Sequence, residues 1–240
     1  MNEVIQTIMD RKSVRDYEDK EILEKEKRMI LEAACAAPTA GNQQLYTIID
    51  VTDQDIKDAL VKTCDDQEFI AKAKMVLVFC ADTGKWHEGF KDCDCDPRNR
   101  GVGDLFLAMS DACIAAQNAV IAAQSLGIGS CYIGDIMENY EMQRELLKLP
   151  DYVFPCAMLV FGYPTKSQRE RTKVRRAPLE RIVSENKYPD MDKEYRKDLF
   201  YKGSVQSYED WMKAFCNRKY NSDFSKEMTR SIKAFLKQFE

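Results

Sequence analysis

Histidine is all but missing from this chain: among 240 residues the single one is His87. A Ser-His-Asp or Cys-His enzyme would have to be built on that residue, which lies in "TGKWHEGFKD" with no nucleophile motif beside it. A metal site made of several histidines from one chain is excluded outright. Cysteines number nine, an odd count, and most sit inside apolar runs such as "MVLVFCA" and "FPCAMLVFG". That usage fits free thiols acting as small hydrophobes in a reducing cytoplasm, not a disulfide framework. The one close pair, Cys93 and Cys95, has no second pair to complete a zinc site, so no metal is expected. An excess of positive charge is also lacking: Lys plus Arg total 36 against 40 Asp plus Glu, a net charge of -4. General binding to nucleic acid or to an anionic membrane is therefore not expected, and any anion site has to be local. Nor is there a long uninterrupted apolar run, because residues 105–128 are broken by Asp111, Gln117, Asn118 and Gln124. A bilayer span would have to bury those groups, so the segment reads as a buried helix. "MNEVIQTIMD" has no basic region followed by an apolar one, so no secretory signal is expected. If such a chain is an enzyme, its reactive group is a bound cofactor.

What is present describes a soluble protein with ample core material, 45% hydrophobic and 32% charged. Val4, Ile5, Ile8 and Met9 recur at helical spacing, and so do Met29, Ile30, Ala33, Ala34 and Ala37 before Pro38. "LYTIIDVT" and "MVLVFCA" read as buried strands separated by a short helix around Ile56, Leu60 and Val61. A long helix rich in small residues follows and stops at Gly127. "IGSCYIGD" is a short strand or loop leading to a helix containing Leu146, Leu147 and Leu149, and "VFPCAMLVFGYP" is the last clear strand. The order predicts an α+β fold, a mixed central sheet flanked by helices. Beyond Pro164 comes a basic arm, "TKSQRERTKVRR", with six cations in twelve residues. From Ser204 onward two more helices are expected, the last with Phe224, Met228, Ile232, Phe235 and Phe239 on one face for packing on the same subunit or on a partner.

Three polar clusters stand out. In "DRKSVRDY", Arg11, Lys12 and Arg15 lie where the first helix ends, and cations there complement the helix dipole. Dipole complementation does not explain the alternation Arg11, Ser13, Arg15, which in an extended segment puts three side chains on one side, as a phosphate clamp requires. In "APTAGNQQLY", a turn between helix and strand, Asn42 and Gln44 carry the donors and acceptors needed to read the edge of a heterocycle, or to satisfy their own loop. In "GIGSCYIGD", Gly134 permits close approach of a flat ligand; the segment follows a helix and so is not a dinucleotide fingerprint.

Taken together and in this order, these clusters resemble the FMN-dependent nitroreductase family over about residues 1 to 183. "RKSVRDY" is similar to its N-terminal phosphate motif, "PTAGNQQLY" to its Pro-Ser-Ser-x-Asn-x-Gln-Pro-Trp loop, "GIGSCYIGD" to its flavin-facing segment, and Lys173 with Arg175 to its late Lys-x-Arg pair. Leu45 and Tyr46 replace the usual Pro and Trp, and Thr39-Ala40 replaces two serines, departures that bear on substrate preference. The resemblance implies a nitroreductase-like FMN-binding domain over 1–183 and a mostly helical C-terminal extension over 184–240. It also implies a homodimer with FMN at the interface. By that resemblance Arg11, Lys12, Ser13, Lys173 and Arg175 face the phosphate, and Arg15 lies near the flavin N1 and O2. Ile133 or Gly134 offers a backbone N–H to N5, Gln67 reaches the pyrimidine edge, and Pro38, Thr39, Asn42 and Gln44 come from the other subunit. The implied activity is NADH- or NADPH-dependent reduction of nitroaromatics, quinones or related small acceptors with ping-pong kinetics. Alternatives are a specialised flavin reductase, dehalogenase or ene reductase of the same fold, with residues 83–103 as a lid, or a non-catalytic flavin-binding dimer.

Overall fold

The structure, a computed structural model, describes residues 1–201, 203 and 205–240; Ser204, the expected start of the C-terminal helices, lies outside the described residues. By compactness the chain divides into two units, 1–171 with 227–240, and 172–226.

The first unit is built on a four-stranded sheet in the order β1-β2-β4-β3, with β1 at Tyr46–Asp50, β2 at Met75–Asp82, β3 at Gly129–Ile133 and β4 at Val153–Gly162. All three pairings of these strands are antiparallel. The mixed sheet expected from sequence is thus antiparallel in its named strands, and among the described residues parallel pairing is confined to a single bridge between Ser13 and Ser130. β2 and β4 are apolar throughout because both faces are covered, so they lack the alternation of a half-solvated strand. One face carries Leu77, Phe79, Leu159 and Phe161 toward α2 (Glu24–Cys35) and α5 (Val102–Ser125). The other carries Val76, Val78, Met158 and Val160 toward Leu60 and Val61 of α3 (Gln54–Thr63). A register shift at Phe79/Cys80 puts the adjacent Cys156 and Ala157 on the same core.

α5 owes its central place to small side chains. Ala108, Ala112, Ala115, Ala116, Ala119 and Ala123 are all fully buried, which lets the sheet and α2 approach the helix backbone closely. By length and composition α5 could cross a membrane, yet nine of its residues, Asp111 among them, are buried in the protein. α1 (Glu3–Asp10) is the opposite case: strongly amphipathic, it buries none of its residues in this chain. The helix predicted around Leu146 to Leu149 is α6 (Tyr140–Leu146); it stops earlier because Lys148 turns left-handed at φ 52°. The connection from β2 to α5 holds one further helix, α4 (Lys85–Asp92).

After the short α7 (Lys166–Glu170), the second unit contains α8 (Lys193–Phe200), which sequence periodicity missed, and α9 (Tyr208–Lys219). α10 (Asp223–Leu236) carries the predicted stripe. Its distal half packs at home: Phe235 is 1% exposed, with its ring centroid 4.7 Å from that of Phe154 and 5.5 Å from that of Tyr140. Ile232 and Phe239, partly buried, pack on the same core, so these three residues serve their own chain.

Candidate functional site

The first cluster has the geometry its alternation predicts. α1 ends at Arg11, whose backbone is already extended at φ -56° and ψ 131°. From there residues 11–17 run along the sheet edge, pinned by Val14 N–H to Ser130 O at 2.9 Å, by the Ser13–Ser130 bridge and by a Tyr17–Pro164 bridge. Two glycines make this approach possible. A Cβ on Gly129 would stand 2.6 Å from Val14 Cγ2, and one on Gly162 would stand 2.6 Å from the Tyr17 ring. Gly129 and Gly162 are register partners across β3 and β4, so a bare patch of sheet receives the two inward side chains of the segment. With Val14 buried, Arg11, Ser13 and Arg15 share the other side.

That side has chemical company. The Cys131 thiol lies within the electrostatic reach of Ser13 and of both guanidiniums. Burial, the largest effect, raises the Cys131 thiol above the usual range; Arg15, Ser13 and Arg11 act against it. The Arg15 guanidinium also lies 5.9 Å from the Phe69 ring centroid. Two residues earlier, Gln67 donates to Asp135 Oδ2 at 2.6 Å and to Cys64 O at 2.8 Å. Asp135 follows the exposed Gly134, where an added Cβ would meet nothing within 4 Å. Arg11, Ser13, Arg15, Gln67, Ile133 and Gly134 therefore gather around the end of β3.

Lys12 turns away from this group, as alternation requires, and donates to the carbonyls of Arg169 and Arg171 at 2.6 Å each. Arg171 in turn donates to Ser13 O, and Arg169 reaches Glu18 at 2.7 Å. The start of the basic arm thus straps the cation segment in place. Lys173 and Arg175 are exposed and belong to the second unit.

The loop with Pro38, Thr39, Asn42 and Gln44 stands elsewhere. It precedes β1, at the far end of the strand order from β3, and three interstrand steps amount to about 14 Å. Its shape comes from a residue that sequence reading registered only as an interruption in an apolar helix. Asp111, 3% exposed on α5, accepts Ala40 N–H at 3.0 Å with one oxygen and Leu45 N–H at 3.2 Å with the other. Inside that clamp Gly41, Asn42 and Gln44 all have positive φ, and Gln44 Nε2 donates to both oxygens of Asn42 at 2.7 Å. Asn42 does satisfy its own loop, while its exposed edge and that of Pro38 face outward.

A flat anionic heterocycle fits what the β3 end offers: paired guanidiniums and a hydroxyl on one side, an aromatic ring, a carboxamide, and open space at Gly134. Comparison with known proteins gives the family. The chain is 30% identical over 241 residues to an FMN reductase (NAD(P)H) of Bacillus subtilis, covering 99% of this chain and 92% of the relative. It is 32% identical over 193 residues to an oxygen-insensitive NADPH nitroreductase of Salmonella typhimurium, covering 80% and 77%. Among solved structures, NfrA2 of B. megaterium superposes with a TM-score of 0.83 at 29% identity, over 100% of this chain and 98% of the other. An NADPH:FMN oxidoreductase from Vibrio harveyi complexed with NAD+ gives 0.79 at 25%, over 98% of each. The profile of the nitroreductase family matches residues 8–163, from the last turn of α1 to the residue after β4. Those residues take in the cation segment, the clamped loop and the whole sheet between them, and the chain belongs to the nitroreductase family.

Proposed function

We propose that this protein is an NAD(P)H-dependent oxidoreductase that carries FMN and reduces nitroaromatics, quinones or related small acceptors. The observation that carries the reading is the extended segment 11–15, held against β3 with two guanidiniums and a hydroxyl on one side. Arg11 and Ser13 would hold the phosphate. Arg15 would face the electron-poor end of the ring, Gln67 its pyrimidine edge, and the backbone at Ile133 and Gly134 its centre. Lys12 contributes indirectly, by fixing residues 169–171 through their carbonyls. Bound FMN supplies the redox chemistry, accepting hydride from NADH or NADPH and delivering it to an oxidised acceptor.

The protein's own share is electrostatic. A guanidinium at Arg15 would favour negative charge developing on the group it faces and so raise that group's electron affinity. Donor and acceptor would use one open face in turn, which gives ping-pong kinetics. The strand order supports a homodimer, because a loop about 14 Å away in its own chain can complete the site of a second copy. The exposed apolar faces of α1 (Val4 62%, Met9 56%) and α5 (Phe106 66%, Ile114 42%) supply a surface for that association. Residues 172–226 would extend over the partner, and a cytoplasmic location suits the free thiols.

The test is the absorption spectrum of the purified protein with release and identification of its chromophore, alongside an Arg11→Ala, Arg15→Ala double variant. FMN at about one per chain, with affinity falling at least about 100-fold in the variant, is the expected result. A colourless protein that takes up no added FMN would overturn the reading.

A further inference from the structure

The segment between β2 and α5 holds a cavity of about 190 Å³ that no part of the flavin reading uses. It opens beside the clamped loop, and Gln43 of that loop is part of its wall. Trp86 and Phe90 form an aromatic side, with ring centroids 5.9 Å apart. Trp86 is oriented by its own polar atom, since Nε1 donates to Gln43 O at 2.7 Å. Space on this scale takes a single aromatic ring, given that an apolar cavity of about 150 Å³ accommodates benzene.

Two arginines line the same cavity and differ in kind. Arg98 is fully committed, with its two terminal nitrogens on the two oxygens of Asp104 at 2.8 and 2.7 Å. Arg100 is not. Its side chain is only 15% exposed, its guanidinium lies 3.7 Å from the centroid of Tyr152, and the nearest carboxylate, Glu88, stands 4.0 Å away, beyond hydrogen-bond range. Asp82, which borders the neighbouring 470 Å³ cavity that Arg100 also lines, already accepts Thr47 Oγ1–H at 2.7 Å and the N–H groups of Gly84 and Lys85. Arg100 is thus a preoriented, mostly buried cation that lines two cavities and, among the described residues, has only the long 4.0 Å ion pair with Glu88 and no direct hydrogen bond to a carboxylate. Desolvation strengthens its pull on an anion, and the stacking on Tyr152 leaves the edge of the fork available.

We propose that this cavity is a specificity site for acceptors that carry an anionic substituent on an aromatic ring, with the ring against Trp86 and Phe90 and the carboxylate on Arg100. The inference rests on the oxidoreductase reading for its consequence in turnover, and stands apart from it for binding. In the proposed dimer the loop beside this cavity completes the site of the second copy, so reduction takes place at that copy's flavin face while Arg100 holds the far end of the substrate and sets which acceptors are used.

The experiment compares 4-nitrobenzoate with 4-nitrobenzamide, near-isosteric probes that differ in charge, on the full-length protein as wild type, Arg100→Gln and Arg98→Gln. The wild type is expected to favour the carboxylate in kcat/KM by about ten- to a hundred-fold, the range of a hydrogen bond to a charged group. Arg100→Gln should lose that preference, and an unchanged urea midpoint shows that the variant is folded. Arg98→Gln should keep the preference, because its guanidinium belongs to Asp104. Equal use of the two probes by the wild type, or a preference that survives Arg100→Gln, overturns the proposal. So does an Arg100→Gln effect confined to the KM for NADPH, which would place a cofactor phosphate on Arg100. If the protein turns over neither probe, the oxidoreductase reading has failed, and calorimetric titration with 4-nitrobenzoate decides the site alone: binding lost in Arg100→Gln supports it, and no binding by the wild type refutes it.

Discussion

Glu138 is the group whose replacement tests the electrostatics of this fold most directly. It follows the turn Asp135–Met137, is 4% exposed, and one of its carboxyl oxygens has no hydrogen-bond partner. Burial, then the charge of Asp135, a hydrogen bond to Asp135, and the charges of Asp65 and Glu227 push its carboxyl up to about 8. Glu227 itself is held by Arg230, Ser231 Oγ–H and Asn139 N–H, so it remains a charge that Glu138 must face. The unfolded chain releases the Glu138 proton near the ordinary carboxylate value, 4.5, whereas the folded protein keeps it to about 8. Over that interval the folded state binds more protons than the unfolded one, so this group makes stability fall as pH rises, by about 1.4 kcal/mol per unit at most, and its effect levels off above about 8. Glu138→Gln keeps the shape and a donor for Asp135 but cannot ionise. The variant should match the wild type near pH 4.5 and exceed it by about 2 to 4 kcal/mol near pH 8. Urea denaturation at fixed protein and FMN concentration, from pH 5 to 8, measures the difference, and other titrations cancel between the two proteins. Parallel stability curves, or a Gln variant less stable at pH 8, would refute the reasoning.

Asp111→Asn leaves one backbone N–H of the loop facing an amide donor, so it should cost about 1 to 3 kcal/mol; if the loop completes the flavin site, FMN affinity falls with it, and an unchanged dissociation constant with lowered Tm would separate the two roles. Gly129→Ala drives a methyl against Val14 and should cost about 1 to 3 kcal/mol, with FMN affinity reduced because the cation segment is displaced. Adding Val14→Ala should restore part of both, a non-additivity readable in a double-mutant cycle. Phe235→Ala empties a ring site between Tyr140 and Phe154 and should cost about 3 to 5 kcal/mol by chemical denaturation; a loss under 1 kcal/mol would mean that α10 is not part of the core.

Some of the protein was legible residue by residue. The alternation Arg11, Ser13, Arg15 determined a one-sided polar face once the backbone was extended, because side chains alternate with period two whatever the strand touches. The small residues of α5 determined that it would be a closely packed helix, and Pro38 with Gly41 and Asn42 determined a turn before β1. Both buried strands declared themselves by continuous apolar runs. Those same runs say nothing of direction, which is why an antiparallel sheet was expected to be mixed. Only the tertiary structure decided what these pieces mean together. The order β1-β2-β4-β3 sends the loop and the cation segment to opposite edges; Asp111 becomes a clamp, Lys12 a strap, and Arg100 a mostly buried cation over the Tyr152 ring. In each case the deciding partner lies dozens of residues away in sequence, and contacts at that separation are set by how elements pack and not by any local period.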